Sequence, residues 1–180
     1  MRQSFSEKIA IPEGVLCSYS SDIFSCSKSG SELKRLIKIP GTIISISGNE
    51  IEFSCKKANK NDIKIIKANL AHMRNMFRGL NKKYTYSLEA VNVHFPMILK
   101  LDKNKLIISN FLGEKVSRHA TILPNVDVQI KGAKITITSN DKEAAGQTAA
   151  NIEKASIVRN RDRRVFQDGI YIIEKPGRAE

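Results

Sequence analysis

The stretch GNEIEFS, from Gly48 to Ser54, recurs further along the chain as GAKITIT, from Gly132 to Thr138. Each is a glycine turn feeding an alternating strand, with Ile51 and Phe53 matched by Ile135 and Ile137 on one face. Another alternating segment precedes each copy, TIISIS from Thr42 to Ser47 and VDVQI from Val126 to Ile130, and each of those follows a proline, Pro40 or Pro124. Two strands meeting at a glycine turn read as a hairpin in both halves. Further upstream a glycine with a neighbouring glutamate recurs too, in GSELK at Gly30 and GEKVS at Gly113. A spacing of about 80 residues is too long for a solenoid repeat. The pattern therefore predicts a tandem pair of similar small domains, joined near GLNKKY, from Gly79 to Tyr84.

After the repeated strand each half turns helical. The first predicted helix, about Asp62 to Gly79, places Ile63, Ile66, Leu70, Met73, Phe77 and Leu80 on one core-facing stripe. Lys60, Lys64, Lys67, Arg74 and Arg78 fall on an adjacent arc about 80° wide. Only Asp62 opposes the nine basic residues between Lys56 and Lys83. A solubilising face and an anion-facing surface both fit that pattern. The second predicted helix, about Asp141 to Ile157, opens with Asn140 and Glu143 at capping-box spacing. It then carries Ala144, Ala145, Gly146, Thr148, Ala149 and Ala150, small side chains that permit close approach to the domain's own sheet or to a phosphate backbone.

The charge balance narrows the partners. Thirty Lys and Arg against eighteen Asp and Glu give a net charge of +12, which draws polyanions toward the chain. No apolar run approaches the roughly 18 residues that a membrane span requires, and the start lacks a secretory h-region. Cys17, Cys26 and Cys55 are odd in number and scattered, which suits buried thiols in a reducing interior. The expectation is a soluble, cytosolic protein with no membrane partner.

The sharpest local feature is IVRNRDRRVFQDGIYIIEKP, from Ile157 to Pro176, where Arg159, Arg161, Arg163 and Arg164 fall within six residues. Guanidinium groups make bidentate, charge-assisted bonds to phosphate and stack on bases. Only Asp162 interrupts the cluster, so internal pairing can neutralise one arginine of the four. QDG, from Gln167 to Gly169, predicts a turn with Gly169 free to take a positive φ, and IYII predicts a final strand anchoring the loop. Aromatic residues make up only 6% of the chain and Trp is absent, which argues against base-stacking modules and for backbone and shape recognition of folded RNA. No phosphate-binding glycine loop, nucleophile elbow or H-E-x-x-H motif is present, and His72, His94 and His119 lie far apart. His94, beside Phe95 and Pro96, reads as a turn residue. An RNA-acting enzyme assembled only in the fold and a protein-docking adaptor are the rival readings.

The segments NFLGEK (Asn110 to Lys115), DKEAAGQTAANIE (Asp141 to Glu153), RVFQDGIYIIEKP (Arg164 to Pro176) and HFPM (His94 to Met97) closely resemble the archaeal and eukaryotic branch of the large-subunit ribosomal protein L-six family. The likeness spans essentially the whole chain and is strongest from Tyr84 onward. It implies an α+β fold made by tandem duplication, each copy built from small antiparallel sheets packed around one helix, with repeats at 1–82 and 83–180. It further implies a non-enzymatic constituent of the cytoplasmic ribosome, without metal or cofactor. The implied partners are large-subunit rRNA near the sarcin–ricin loop and neighbouring large-subunit proteins, with translational GTPases docking close by. Carried onto this chain, the rRNA-binding residues would be Arg159, Arg161, Arg163, Arg164, Gln167, Asp168, Gly169 and Lys175. The helix face of Gly146, Ala149 and Ala150 would support or approach the RNA. One departure stands out: archaeal relatives usually carry Gly-Pro-x-Gly where this chain reads Ser27, Lys28, Ser29, Gly30.

Overall fold

A computed structural model describes residues 3–93 and 95–177; His94, and with it the expected turn role, lies outside the described residues. The chain forms two compact units that divide between Lys82 and Lys83. In the amino-terminal unit, β1 (Gln3–Ala10), β5 (Thr42–Ser47) and β6 (Glu50–Ala58) form one antiparallel sheet in the order β1-β6-β5. A second antiparallel sheet is made by β2 (Leu16–Ser20), β3 (Ile23–Lys28) and β4 (Ser31–Leu36) in chain order. The helix α1 (Lys60–Asn81) follows β6.

The carboxy-terminal unit repeats this plan. Its strands β8 (Ile98–Asp102), β9 (Lys105–Ser109) and β10 (Arg118–Thr121) form the three-stranded sheet. The strands β7 (Tyr84–Val91), β11 (Asp127–Lys131) and β12 (Lys134–Ser139) take the places of β1, β5 and β6, and α2 (Lys142–Ala155) follows β12. A final strand, β13 (Gly169–Glu174), adds to the free edge of β7. The fold is α+β, with a repeated sheet-and-helix unit.

The duplication extends to individual residue pairs. Ile46 opposes Ile51 and Ile44 opposes Phe53 in the first hairpin; Ile130 opposes Ile135 and Val128 opposes Ile137 in the second. Both hairpins turn at a glycine with positive φ, Gly48 at 57° and Gly132 at 61°, a conformation glycine adopts without the Cβ clash other residues suffer. Ile51, Phe53, Ile135 and Ile137 are all fully buried. The two cores share no residue: one gathers Phe24, Ile51, Phe53, Ile66, Leu70 and Met73, the other Leu88, Leu106, Ile108, Phe111, Ile135 and Ile137.

Three expectations need correction. Gly30 and Gly113 sit in corresponding connections, between the second and third strands of each three-stranded sheet, but in turns of different geometry. Ser29 and Gly30, both with positive φ, close a tight two-residue hairpin between β3 and β4, whereas Gly113 ends a 3-10 turn inside the longer segment joining β9 to β10. The second helix is capped by Asp141 rather than Asn140: the Asp141 side chain accepts the Glu143 N–H at 2.8 Å. That helix also ends at Ala155, because Ser156 leaves the helical conformation. The first helix is longer than predicted, since Asn59 and Asp62 form a reciprocal capping box that starts it at Lys60. No helix among the described residues is long and apolar enough to cross a membrane.

Cys17 and Cys26 face each other across β2 and β3 as free thiols, and Cys55 is a free, buried thiol in β6. Burial pushes Cys17 up to about 11 and Cys26 up to about 12, with Cys17 and Glu32 adding to the second shift. The folded state therefore favours the protonated thiols. Their contribution is complete below the ordinary thiol value of 9.0 and is lost as pH rises from there toward about 12. Stability measured by urea unfolding is expected to fall above about pH 9. Alkylation at pH 8 is expected to reach Cys26 only on unfolding; rapid labelling of the native protein would contradict this burial.

Candidate nucleic-acid interface

The arginine cluster occupies the loop between α2 and β13, and both ends of that loop are tied to the same point. Ser156, 2% exposed, accepts the Ile170 N–H through its hydroxyl at 2.8 Å and donates to the Glu153 carbonyl at 3.1 Å. Val158 is buried in the core just after the loop leaves the helix, and Phe166 packs on the same core just before it returns. Between them the chain bulges outward. Asn160 turns it with a φ of 57°, a left-handed conformation that asparagine tolerates better than most residues.

Within the bulge, Asp162 organises a local turn. Its carbonyl accepts the N–H groups of Val165 and Phe166, and its carboxylate accepts the Arg164 N–H and two guanidinium N–H groups of Arg164. These bonds hold the Asp162 carboxyl below its ordinary range. Arg164 is thus the one clustered arginine that is internally paired, as a single interrupting aspartate allows. Arg161 lays its guanidinium over the Phe166 ring at 4.8 Å, which fixes the plane and leaves its N–H edges available. Arg159, Arg161 and Arg163 are exposed, and none is ion-paired among the described residues.

The loop also rests on a residue that sequence reasoning missed. Arg118, at the start of β10, makes a two-pronged pair with Glu114 at 2.6 and 2.8 Å. Its remaining nitrogen donates to the carbonyls of Ala155 and Ile157, and its guanidinium lies 4.1 Å over the buried Phe111 ring. The Arg118 hydrogen bonds hold the Glu114 carboxyl below the usual carboxylate range. One guanidinium therefore satisfies the open carbonyl end of α2 and braces the first residues of the arginine loop. The Glu114–Arg118 spacing of four residues was the available signal, but the partners at the helix end lie far away in sequence.

Comparison with known proteins decides the family. A relative from Methanospirillum hungatei, the large ribosomal subunit protein uL6, is 38% identical over 167 residues, covering 93% of this chain and 95% of the relative. The family model described as Ribosomal protein L6 matches residues 95–169. The chain belongs to the ribosomal protein L6 family. Membership makes it a structural constituent of the large subunit of the cytoplasmic ribosome rather than an enzyme, with ribosomal RNA and other ribosomal proteins as its associates.

The matched stretch of this L6-family chain contains α2 and the whole arginine loop. Apart from Lys175, which lies beyond it, the stretch also contains the remaining residues of interest, and the structure divides these residues into three groups. Gln167 and Lys175 are exposed, on either side of β13; Gln167 donates to the Arg164 carbonyl and accepts the Tyr171 hydroxyl. Asp168, Gly169 and Ala149 are buried and face inward. Asp168 accepts the Val93 N–H at 2.9 Å, pinning the loop's return to the segment just past β7. Gly169 does not use a positive φ as the turn reading expected. It opens β13, where a Cβ would meet the Tyr171 ring at 3.0 Å, so the constraint is space. Gly146 and Ala150 are half-buried, and a Cβ on Gly146 would stand 2.9 Å from the Tyr86 hydroxyl. The small residues of α2 thus serve close packing on the unit's own sheet. Beside the loop, a cleft of about 340 Å³ is lined by Arg118, His119, Lys154, Ala155 and Arg159. Among the described residues its charged lining is cationic, with no carboxylate beside His119 in the cleft.

Proposed function

We propose that the carboxy-terminal repeat, residues 83–180, grips large-subunit rRNA near the sarcin–ricin loop and the region where translational GTPases dock, while residues 1–82 form the companion repeat. The observation that carries this reading is the state of Arg159, Arg161 and Arg163: three exposed guanidiniums, none in an ion pair among the described residues, on a loop pinned at both ends. A loop already held in shape loses less conformational entropy on binding, so more of the phosphate interaction appears as affinity. Arg164 joins them by exchanging Asp162 for phosphate, since an ion pair open to water is weakly held and screened by salt. Gln167 and Lys175 extend the contact along the edge of the loop. Asp168, Gly169 and Ala149 act from beneath, and Gly146 and Ala150 set how closely α2 sits on its sheet. The placement near the sarcin–ricin loop rests on family resemblance.

The test is a salt series on a transcript containing the sarcin–ricin stem. Each phosphate contact contributes roughly 0.7 to 0.9 to the slope of log affinity against log salt. Changing Arg159, Arg161 and Arg163 to alanine together is expected to flatten that slope by about 2 to 3 and to weaken binding at every salt concentration. A variant with the parent's slope and affinity would remove the loop from the interface.

A further inference from the structure

The basic face of α1 belongs to the other unit and has no part in the loop just described. Lys60, Lys64, Lys67, Arg74 and Arg78 are all exposed on this 22-residue helix. From Lys60 to Arg78 they cover about 27 Å at 1.5 Å per residue. Ala71 sits within their arc, so no bulky side chain stands between the Lys67 and Arg74 positions. The internal contacts on this face are weak. Arg74 lies 3.8 Å from Glu7 with its side chain half exposed, and Lys67 stands 6.0 Å over the Phe5 ring. Lys60, Lys64 and Arg78 have no ion-pair partner among the described residues. Asp62, the single acid of the helix, is committed to the capping box at Asn59.

A merely solubilising helix intersperses both signs, because acid–base pairs four residues apart stabilise it and like charges at that spacing destabilise it. Here Lys60 and Lys64 repel each other, as do Arg74 and Arg78, and against the five cations of this face the structure sets one loosely held acid, Glu7 beside Arg74. We infer that this face of α1 is a second RNA-binding surface, which seats a phosphate backbone along the helix independently of the arginine loop. A straight row of cations with a small residue at its middle suits a regular line of phosphates. Lysine heads on flexible stems neutralise such a line without demanding a particular base sequence. The inference rests on the proposal that the protein binds large-subunit rRNA, and it adds a second point of attachment on the other unit.

The experiment uses the full chain and a full-length large-subunit rRNA transcript. Lys60, Lys64, Lys67 and Arg78 are changed together to glutamine, a good helix former that preserves the fold at exposed positions. The arginine-loop triple variant runs in parallel. The α1 variant is expected to flatten the salt slope by about 3 and to lose hydroxyl-radical protection at nucleotides that the loop variant still protects. A normal slope and full footprint for the α1 variant, beside a weakened loop variant, would overturn the second surface and leave the first intact. An unaffected loop variant would instead strike the loop proposal, whatever α1 does. If the α1 variant binds the transcript normally yet drops out of reconstituted large subunits, the face serves a protein and the inference fails.

Discussion

Replacing Arg118 with alanine is expected to destabilise the carboxy-terminal unit by about 2 to 4 kcal/mol, more than its position on a half-exposed strand suggests. The side chain is only 22% exposed and serves four partners at once: Glu114, the Ala155 and Ile157 carbonyls, and the Phe111 ring. Removing it leaves a carboxylate and two helix-end carbonyls short of donors beside a buried aromatic face. Lysine at this position restores the charge but cannot make the fork to Glu114 and reach both carbonyls together, so Arg118→Lys should recover less than half of the loss. The loss should also depend on pH. The Glu114 carboxyl is held low in the folded state, so its stabilising share is present above the ordinary carboxylate value near 4.5 and is lost as pH falls through its folded value. The gap between parent and Arg118→Ala, read from urea midpoints, should therefore narrow below about pH 4. Faster amide exchange at residues 155–159 than in β12 would locate the damage at the root of the arginine loop; uniform acceleration would argue against the bracing role.

Much of this architecture was legible because its causes are local. The glycine turns at Gly48 and Gly132 and the alternating strands beside them announce hairpins without knowledge of any distant contact. The arginine cluster was legible for the same reason, down to the single pairing that Asp162 permits. What escaped depends on residues brought together by the fold. Arg118 reads as one more basic residue in a short strand until α2 delivers its carbonyls to it. Gly169 looked like a turn glycine after Gln167 and Asp168, but its real constraint is the Tyr171 ring folded back over it. Asp168 stood among the residues carried over as rRNA contacts, yet the backbone N–H of Val93, just past β7, holds its carboxylate inside. Asn140 and Asp141 are equally good caps by type, and the structure shows the second in that place.

Truncating Phe53 to alanine is expected to cost the amino-terminal unit about 3 to 5 kcal/mol while leaving the carboxy-terminal unit folded. Phe53 is wholly buried at the centre of β6, between Ile44 on β5 and Glu7 on β1, and its loss opens a cavity that a close-packed sheet relaxes into only in part. Its counterpart Ile137 occupies the same place in a core made of entirely different residues. Cavities act on the cluster they open in, so the damage is expected to fall on the first core. Unfolding followed by a probe in each unit should therefore separate: the transition reported by Cys26 labelling moves to lower urea, while the one reported by exchange in β12 stays in place. Because the arginine loop belongs to the second core, rRNA affinity should keep whatever share that loop supplies, even where the first unit has melted. A single transition in which both probes shift together would mean that the two cores unfold as one, and the duplicated scaffold would then have to be treated as a single cooperative body.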